Sequence, residues 1–277
     1  TAKLKERNKD INIEKEVKKK KNGKVHVKLG PDEFQKLIIR EPRLWWPNGM
    51  GKPELYTLNL TVEVNGETVD SKTIRFGIRN ISQYLNSNGD KGFKVNGKKI
   101  LIKGAGWSDD LTLSDNDGKV KAQIEYVKHM NLNTIRMEGF WGNSEKIFDY
   151  ADENGILIMA GWSCHWEWEE YCHRPQSDFM AIFPSEFKLH TQSYLDQVYW
   201  LRNHPSIFLW VQGSDKLLPA GLEKMLNDSL KTADPSRPVL ASCKGVDFDE
   251  ITKNVSQVSG PTGVKMRGPY EYVTPNY

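Results

Sequence analysis

A short apolar run, Ile207–Val211, constrains the fold of this 277-residue chain more than any other feature. His204-Pro205 precedes the run, and a helix must end there because proline disfavours helical geometry in the residue before it. Five consecutive apolar residues are typical of a parallel strand that is covered on both faces. Gly213 permits a sharp turn after the strand, and Ser214-Asp215 follow it. The sequence therefore predicts a buried strand that delivers a carboxylate at its carboxyl end.

The segments on either side of this run alternate between strand and helix patterns. Strands are predicted at residues 100–105, 134–138, 156–160, 207–211 and 238–242, and helices at 122–130, 144–154, 184–203 and 217–232. Repeated strand–helix units imply a parallel sheet, open or closed.

The first part of the chain has a period of two instead, which is typical of half-buried strands. Alternation is clearest at residues 56–64, followed by the hairpin signal Asn65-Gly66 and by 74–78, and weaker copies occur at 11–17 and 25–29 on either side of Asn22-Gly23. Short strands joined by turns predict an antiparallel sandwich for residues 1–82, with at least one strand expected upstream. A polar stretch at 83–90 marks the boundary, so residues 83–277 form the second domain and begin with a hairpin at 93–100.

The segment 44–49, Leu-Trp-Trp-Pro-Asn-Gly, lies between these predicted strands. We expect its two tryptophans to pack against protein, at a sandwich corner or against the neighbouring domain, rather than to contact a ligand.

Charge and hydropathy exclude two classes of function. The chain has 39 basic and 36 acidic residues, with no basic face interleaved with aromatics of the kind that binds nucleic acid. No run approaches the roughly 20 apolar residues of a membrane span. The chain begins at Thr1, so we expect an upstream segment, and the lack of a signal peptide says nothing about export. A periplasmic or secreted location is favoured, and the oligomeric state stays open.

The three cysteines do not predict a disulfide framework or a metal centre. Their number is odd and their spacing irregular. Cys164-His165 and Cys172-His173 do not match the usual zinc spacings, and no fourth ligand is evident. We expect packed or pocket-lining roles for them and for Cys243, with no metal and no cofactor.

Polar or aromatic residues follow the first four predicted strands of the second domain. All strands of a parallel barrel point the same way, so these residues should converge on one rim. Tryptophan offers a flat face to a sugar ring, and carboxylates accept hydrogen bonds from hydroxyl or ammonium groups. The candidates are Asp215 as a catalytic acid, with Glu138, Ser214, Trp162, Glu169 and Asp110 as sugar-binding residues.

Three alternatives stay open at these positions. Asp215 could be the N-cap of the next helix. Trp162, like Trp166 and Trp168 after it, could serve only in loop packing. Glu138 could be no more than the ion-pair partner of Arg136, which is itself expected to orient nearby carboxylates.

Several motifs together resemble glycoside hydrolase family 2. They are Leu44 to Gly49, the hairpin 93–100 leading into Lys103-Gly104, Asn133 to Arg136, and Arg202 to Ile207. The resemblance implies an immunoglobulin-like β-sandwich followed by a (β/α)8 TIM barrel. Only about five or six barrel strands precede Tyr277, so the barrel is expected to be truncated.

The catalytic dipeptide departs from the common pattern of that family. The fourth barrel strand usually ends in Asn-Glu, with the Glu as acid/base, whereas this chain has Ser214-Asp215. That pair, together with residues 133–139, Gly161-Trp162 and Gly268 to Tyr270, resembles the exo-β-D-glucosaminidase branch. The resemblance implies Asp215 as acid/base, and the 2-ammonium of a glucosaminide would call for a nearby carboxylate, for which Glu138 is the first candidate.

The resemblance places the nucleophile, a Glu, at the end of the seventh barrel strand and therefore beyond Tyr277. It gives Glu271 no such role, so the chain alone is expected to lack full activity. The implied function is retaining hydrolysis of chitosan-type oligosaccharides. The alternatives are another family 2 activity, such as β-mannosidase or β-galactosidase, and a non-catalytic carbohydrate-binding fragment.

Overall fold

The computed structural model describes residues 2–5, 11–18, 23–87, 89–108, 110, 112, 114, 116–139, 145–162, 173–174, 180–214, 216–243 and 255–262. The strands are β1 Ala2–Lys5, β2 Ile11–Ile13, β3 Tyr56–Val64, β4 Glu67–Phe76, β5 Ile81–Leu85, β6 Lys91–Val95, β7 Lys98–Ile100, β8 Gly104–Gly106, β9 Thr134–Met137, β10 Leu157–Ala160, β11 Ile207–Val211, β12 Val239–Leu240, β13 Val255–Ser256 and β14 Gly260–Pro261. The helices are α1 Asp117–His129, α2 Lys146–Asn154, α3 Phe187–Leu201 and α4 Ala220–Ala233, with 3-10 turns at Gln35–Leu37 and Pro184–Glu186.

The first domain contains an antiparallel sheet in the order β2-β1-β3-β4. β3 and β4 form the predicted long hairpin, and its turn residues Asn65 and Gly66 have φ angles of 53° and 82°. Asparagine and glycine tolerate positive φ, and such turns follow the natural twist of a hairpin. Tyr56 and Phe76 face each other at the far end of the hairpin, with stacked rings 5.5 Å apart.

The strand predicted from the weaker alternation at residues 25–29 is wrong. Residues 23–30 have irregular backbone, and Val25 and Val27 are 44% and 48% exposed. β2 likewise ends at Ile13, and Val17 is exposed. A strand forms when a neighbouring strand takes its hydrogen bonds and a core buries one of its faces. No described strand pairs with 23–30.

The second domain contains a five-stranded parallel sheet in the order β12-β11-β10-β9-β8, so strands that follow each other in the chain are neighbours. The strands predicted at 134–138, 156–160 and 207–211 are confirmed, and the one at 238–242 is confirmed over two residues. Sequential parallel order with intervening helices is the arrangement of a (β/α) barrel.

The first strand of this sheet lies further along the chain than predicted. Residues 98–100 belong to the hairpin β6–β7, and pairing with β9 begins only at Gly104. The side chain of Asn133 explains the interruption. It accepts from the Lys103 N–H at 2.9 Å and donates to the Leu101 carbonyl at 2.8 Å. These two backbone groups therefore bond to a side chain and not to a neighbouring strand.

The helices begin and end at residues with clear physical roles. Asn116 caps α1 by accepting from the N–H groups of Gly118 and Lys119, and the buried face of α1 carries Val120, Ile124 and Val127. α2 ends at Gly155, whose φ of 70° suits glycine. No helix in the described ranges is long and apolar enough to cross a bilayer.

The first domain docks against the amino ends of β10 and β11. Trp45 is fully buried and donates through Nε1 to the Asp152 carbonyl at 2.8 Å. The Asn48 N–H donates to the Gly155 carbonyl at 2.7 Å, and Arg79 donates to the carbonyls of Pro205 and Ile207. The predicted packing role of the 44–49 segment is confirmed for Trp45, and the opposite, carboxyl edge of the sheet is left for a site.

Two apolar clusters cover the two faces of the parallel sheet. One lies between the sheet and the helices and includes Ile124, Phe148, Tyr194 and Trp210. The other cluster lies on the other face, where Phe93 and Val95 of β6 and Ile100 of β7 pack against residues of β10 and β11 such as Leu209. Burial on both faces explains why β11 is apolar throughout.

Candidate active site

The carboxyl edge of the sheet holds three of the six predicted site residues in described positions. Glu138 directly follows β9, Trp162 lies two residues beyond β10, and Ser214 lies three residues beyond β11. Asp215 and Glu169 lie outside the described residues, as do the other aromatic and acidic residues of the 163–172 loop.

Arg136 joins two of these residues. Its Nη2 donates to Ser214 Oγ at 2.7 Å, and its Nη1 donates to Glu138 Oε1 at 3.1 Å. The Arg136 side chain is only 10% exposed, whereas that of Glu138 is 38% exposed. A guanidinium fork suits such a bridge, because its donors point in fixed, separate directions.

Two buried polar groups in this cluster have unused hydrogen-bonding capacity. The Arg136 Nε is buried and has no hydrogen-bond partner among the described residues. Ser214 Oγ accepts from Arg136, so its own proton is available to donate. Arg136 and Ser214 are only 9% and 1% exposed, so among these three residues the Glu138 carboxylate is the group that a ligand at this edge can reach.

The turn after β11 is held tightly. Gly213 donates from its N–H to the Ala241 carbonyl, and the Ser214 carbonyl accepts from the Cys243 N–H and from Ser242 Oγ, each at 3.0 Å. A Cβ at position 213 would lie 2.2 Å from the Lys216 carbonyl oxygen, so only glycine fits there. These contacts fix the backbone immediately before position 215.

Trp162 packs against α3. Its ring meets those of His190 and Tyr194 edge to face, with centroids 5.3 and 5.9 Å away. The indole is only partly buried. Packing, one of the two alternatives for Trp162, is therefore present, and the exposed part of the ring leaves room for a ligand contact.

Asp110 is engaged elsewhere. It accepts from Lys119 Nζ at 2.7 Å, from Thr112 Oγ1 at 2.6 Å and from the Thr112 N–H at 2.9 Å. These donors, Lys119 first, lower the pKa of the Asp110 carboxyl. No contact among the described residues connects Asp110 with the Arg136 cluster.

One group of described residues could bring three ligand atoms near a metal ion: Asp149, Asp152 and His204. Protein groups already occupy them, since Asp149 pairs with Arg75 at 3.0 Å and Asp152 bonds both His204 Nδ1 at 2.7 Å and the Ser206 N–H at 3.0 Å. They lie at the amino end of the sheet, away from Ser214. Cys243 is buried, and Cys164 and Cys172 lie outside the described residues.

Sequence reasoning missed three polar residues beside this edge: Gln212 and Tyr194, which are buried, and Asn227, which is partly buried. Gln212 Nε2 donates to Asn227 Oδ1 at 2.8 Å, and Tyr194 contacts Trp162. The one signal available in the sequence was a polar Gln directly after the apolar run of β11.

Comparison with known proteins identifies the family. The profile for glycosyl hydrolases family 2 matches residues 1–79, and the profile for its TIM barrel domain matches residues 88–266. The exo-β-D-glucosaminidase of Streptomyces avermitilis is 37% identical over 253 residues, which are 91% of this chain and 27% of that protein. The exo-β-D-glucosaminidase of Amycolatopsis orientalis is 35% identical over 88% of this chain and 23% of its own length.

A solved structure agrees with these matches. The crystal structure of an exo-chitosanase from Amycolatopsis orientalis superimposes with a TM-score of 0.70, at 34% identity, over 84% of this chain and 26% of that chain. The chain thus spans about a quarter of the length of the curated relatives it matches. The predicted fold class is confirmed: a sandwich domain precedes a barrel domain, of which five parallel strands are described. The chain belongs to glycosyl hydrolase family 2.

Proposed function

We propose that the protein containing this chain is a retaining glycoside hydrolase that releases β-linked glucosamine from the ends of chitosan-type oligosaccharides. The observation that supports this most directly is the Arg136 bridge between Glu138 and Ser214 at the carboxyl edge of the sheet. Barrel enzymes assemble their active sites at that edge. The similarity to exo-β-D-glucosaminidases supports the sugar.

Asp215 is the proposed general acid/base. It donates a proton to the glycosidic oxygen while a Glu carboxylate attacks the anomeric carbon, and the bond to the leaving sugar breaks. Asp215 then takes a proton from water, whose oxygen displaces the Glu and releases the sugar. We propose that this Glu lies beyond Tyr277, at the roughly 5–5.5 Å separation that retaining enzymes use.

The 2-amino group of the substrate is the proposed target of Glu138. An ammonium group forms strong charge-assisted hydrogen bonds with a carboxylate. Among the described residues only Arg136 is hydrogen-bonded to the Glu138 carboxylate, and it binds one of the two oxygens. The other oxygen is free of described partners and can accept from the ammonium. Trp162 and Glu169 complete the proposed sugar-binding residues, and Asp110 is the weakest candidate because Lys119 and Thr112 already hold it.

Hydrolysis by the full-length protein tests this proposal. We expect release of nitrophenol from a β-glucosaminide to exceed that from the matching β-mannoside and β-galactoside. Asp215→Ala should abolish most of the turnover of chitosan oligomers, and the 277-residue chain alone should show none. Asp228→Asn, at an exposed position of α4, is the control.

Other outcomes assign a different function. Preferential hydrolysis of the mannoside or galactoside would favour another family 2 activity. Binding of glucosamine oligomers in calorimetry by the full-length protein, without turnover, would favour a carbohydrate-binding role. Normal turnover by Asp215→Ala would end the acid/base assignment.

A further inference from the structure

A row of polar side chains, here called the polar chain, connects the end of β11 with the hairpin β13–β14. Gln212 Nε2 donates to Asn227 Oδ1 on α4 at 2.8 Å. Asn227 Nδ2 donates to Ser259 Oγ at 3.2 Å, and Ser259 Oγ donates to Glu223 Oε1 at 2.6 Å. Ser256 Oγ also donates to Glu223, at 2.7 Å to each carboxylate oxygen.

Glu223 anchors the polar chain on α4. It is 1% exposed and makes no ion pair with a described residue, so its hydrogen bonds come from hydroxyl groups. Burying a carboxylate is costly unless hydrogen bonds replace those of water. Ser256 is fixed in turn, because its Oγ accepts from the N–H groups of Val258 and Ser259 at 2.9 Å. Ser259 and Ser256 are therefore held in place against α4.

The anchor determines the orientation of both amides. Ser259 Oγ uses its proton on Glu223, so it can only accept from Asn227, which must present its NH₂ there. Asn227 then has its Oδ1 directed at Gln212, so Gln212 must donate to it through its NH₂ group. Gln212 is fully buried, and its backbone N–H donates to the Leu240 carbonyl at 2.9 Å.

The remaining end of Gln212 lies beside Tyr194. Neither Gln212 Oε1 nor the Tyr194 hydroxyl has a hydrogen bond of good geometry with a described residue. Burial raises the pKa of Tyr194, so the phenol keeps its proton and can donate it. Tyr194 in turn packs edge to face against Trp162 at the carboxyl edge.

We propose that Gln212 and Asn227 are positioning residues for the acid/base, an inference that rests on the proposed role of Asp215. Gly213 and Ser214 alone separate Gln212 from Asp215. By fixing Gln212 against α4, the polar chain fixes where this segment leaves the sheet. It thereby sets the position of the Asp215 carboxyl relative to the glycosidic oxygen.

The dependence of the rate on the leaving group tests this proposal in the full-length protein. Asn227→Leu keeps the approximate size of the side chain and removes both amide contacts. We expect kcat/KM on a glucosamine oligomer to fall about tenfold to a hundredfold, since small displacements of a catalytic group cost that much. A dinitrophenyl glucosaminide, whose leaving group needs little protonation, should react within about twofold of the wild-type rate, because acid catalysis contributes little there.

Gln212→Met removes the hydrogen bond between Gln212 and Asn227 from the other side. It provides an independent test if Asn227→Leu folds poorly. Asp228→Asn, one residue along α4 with an exposed side chain, is the matched control and should react normally with both substrates. Circular dichroism confirms that each variant is folded.

The proposal is overturned if folded Asn227→Leu and Gln212→Met lose rate equally on both substrates, or on neither. Asp215→Ala, measured alongside, separates the two levels of inference. If Asp215→Ala itself shows no selective loss on the oligomer, the proposed function fails. If Asp215→Ala shows that loss and the two amide variants do not, only the positioning role fails.

Discussion

At the scale of single residues, Arg136 decides how the carboxyl edge is organised. It is nearly buried, and its two donors reach residues that follow different strands. The sequence placed Glu138 and Ser214 at strand ends, because strand patterns and turn residues are local. It could not reveal the amide pair of Gln212 and Asn227, since that contact depends on how α4 docks on the sheet.

Arg136→Lys should disrupt this edge although the charge is kept. A lysine ammonium is a single point charge and cannot match the two fixed directions of the guanidinium. We expect a loss of about 1–3 kcal/mol in the free energy of unfolding, because a buried partner is left unsatisfied. The activity on glucosaminides should fall by more than the loss of folded protein alone would explain. Urea unfolding and steady-state kinetics measure both, with Arg40→Lys at an exposed position as control. Wild-type stability and rate in Arg136→Lys would show that the bridge is incidental.

Glu138→Gln should change the choice of sugar. A neutral amide forms a weaker bond with the 2-ammonium, and a charge-assisted hydrogen bond is worth about 1.5–3 kcal/mol. We expect the preference for a glucosaminide over the matching glucoside, given by the ratio of kcat/KM values, to fall at least tenfold. An unchanged ratio would leave Glu138 only its ion pair with Arg136, the alternative that the sequence left open.

At the scale of elements, the strand and helix patterns succeeded where burial is continuous and failed where it is not. The fully buried segments β9, β10 and β11 were located within about a residue. The weaker alternation at residues 25–29 did not correspond to a strand: no described strand pairs with it, and its valines are exposed. The shift of β8 came from the side-chain amide of Asn133, which periodicity cannot register.

The start of α3 supplies a test of pH dependence. Glu186 accepts from both terminal nitrogens of Arg174, at 2.7 and 2.6 Å, and from the Phe183 N–H at 2.9 Å. Arg174, followed by this N–H, lowers the pKa of Glu186 from 4.5 to about 2. The unfolded state binds the proton first, so the stabilisation is complete above about pH 4.5 and is lost as the pH falls towards 2.

Glu186→Gln should therefore lower the free energy of unfolding at neutral pH by about 1 kcal/mol or less, since the group is largely solvated. It should also flatten the decline in stability between about pH 4.5 and 2. Urea unfolding at several pH values measures this, with Glu125→Gln at the exposed pair with Lys121 as control. A decline as steep in Glu186→Gln as in the wild type would contradict the role of Glu186.

At the scale of the whole molecule, the first domain closes the amino ends of the barrel strands and leaves the carboxyl ends for chemistry. The parallel direction of the strands followed from the alternation of strand and helix in the sequence, because parallel strands need a crossover, usually a helix, to return the chain. Their sequential order was implied by the resemblance to family 2. Which surfaces of the two domains meet did not follow, because those contacts join residues such as Trp45 and Asp152 that are 107 positions apart. The boundary after residue 82 stays a prediction.

Trp45→Phe tests this docking. Phenylalanine keeps most of the apolar contact but cannot donate to the Asp152 carbonyl, which is then left without its partner. We expect the free energy of unfolding to fall by about 1–3 kcal/mol, with kcat unchanged in the folded protein because the site lies at the other end of the sheet. Trp46→Phe, at a partly exposed neighbouring position, should cost less. Equal costs for both would argue against a specific role for Trp45.

The central claim is that Glu138, Ser214 and Asp215 at the carboxyl edge bind and cleave a terminal glucosaminide. A crystal structure of the full-length protein with a non-hydrolysable thio-linked glucosamine disaccharide tests it most directly. We expect the 2-ammonium to lie about 2.7–2.9 Å from a Glu138 oxygen, as in a charge-assisted hydrogen bond. The Asp215 carboxyl should lie within about 3.5 Å of the linking sulfur, close to the hydrogen-bond reach required of a general acid. A disaccharide bound away from this edge, or with its ammonium facing another residue, would contradict the claim.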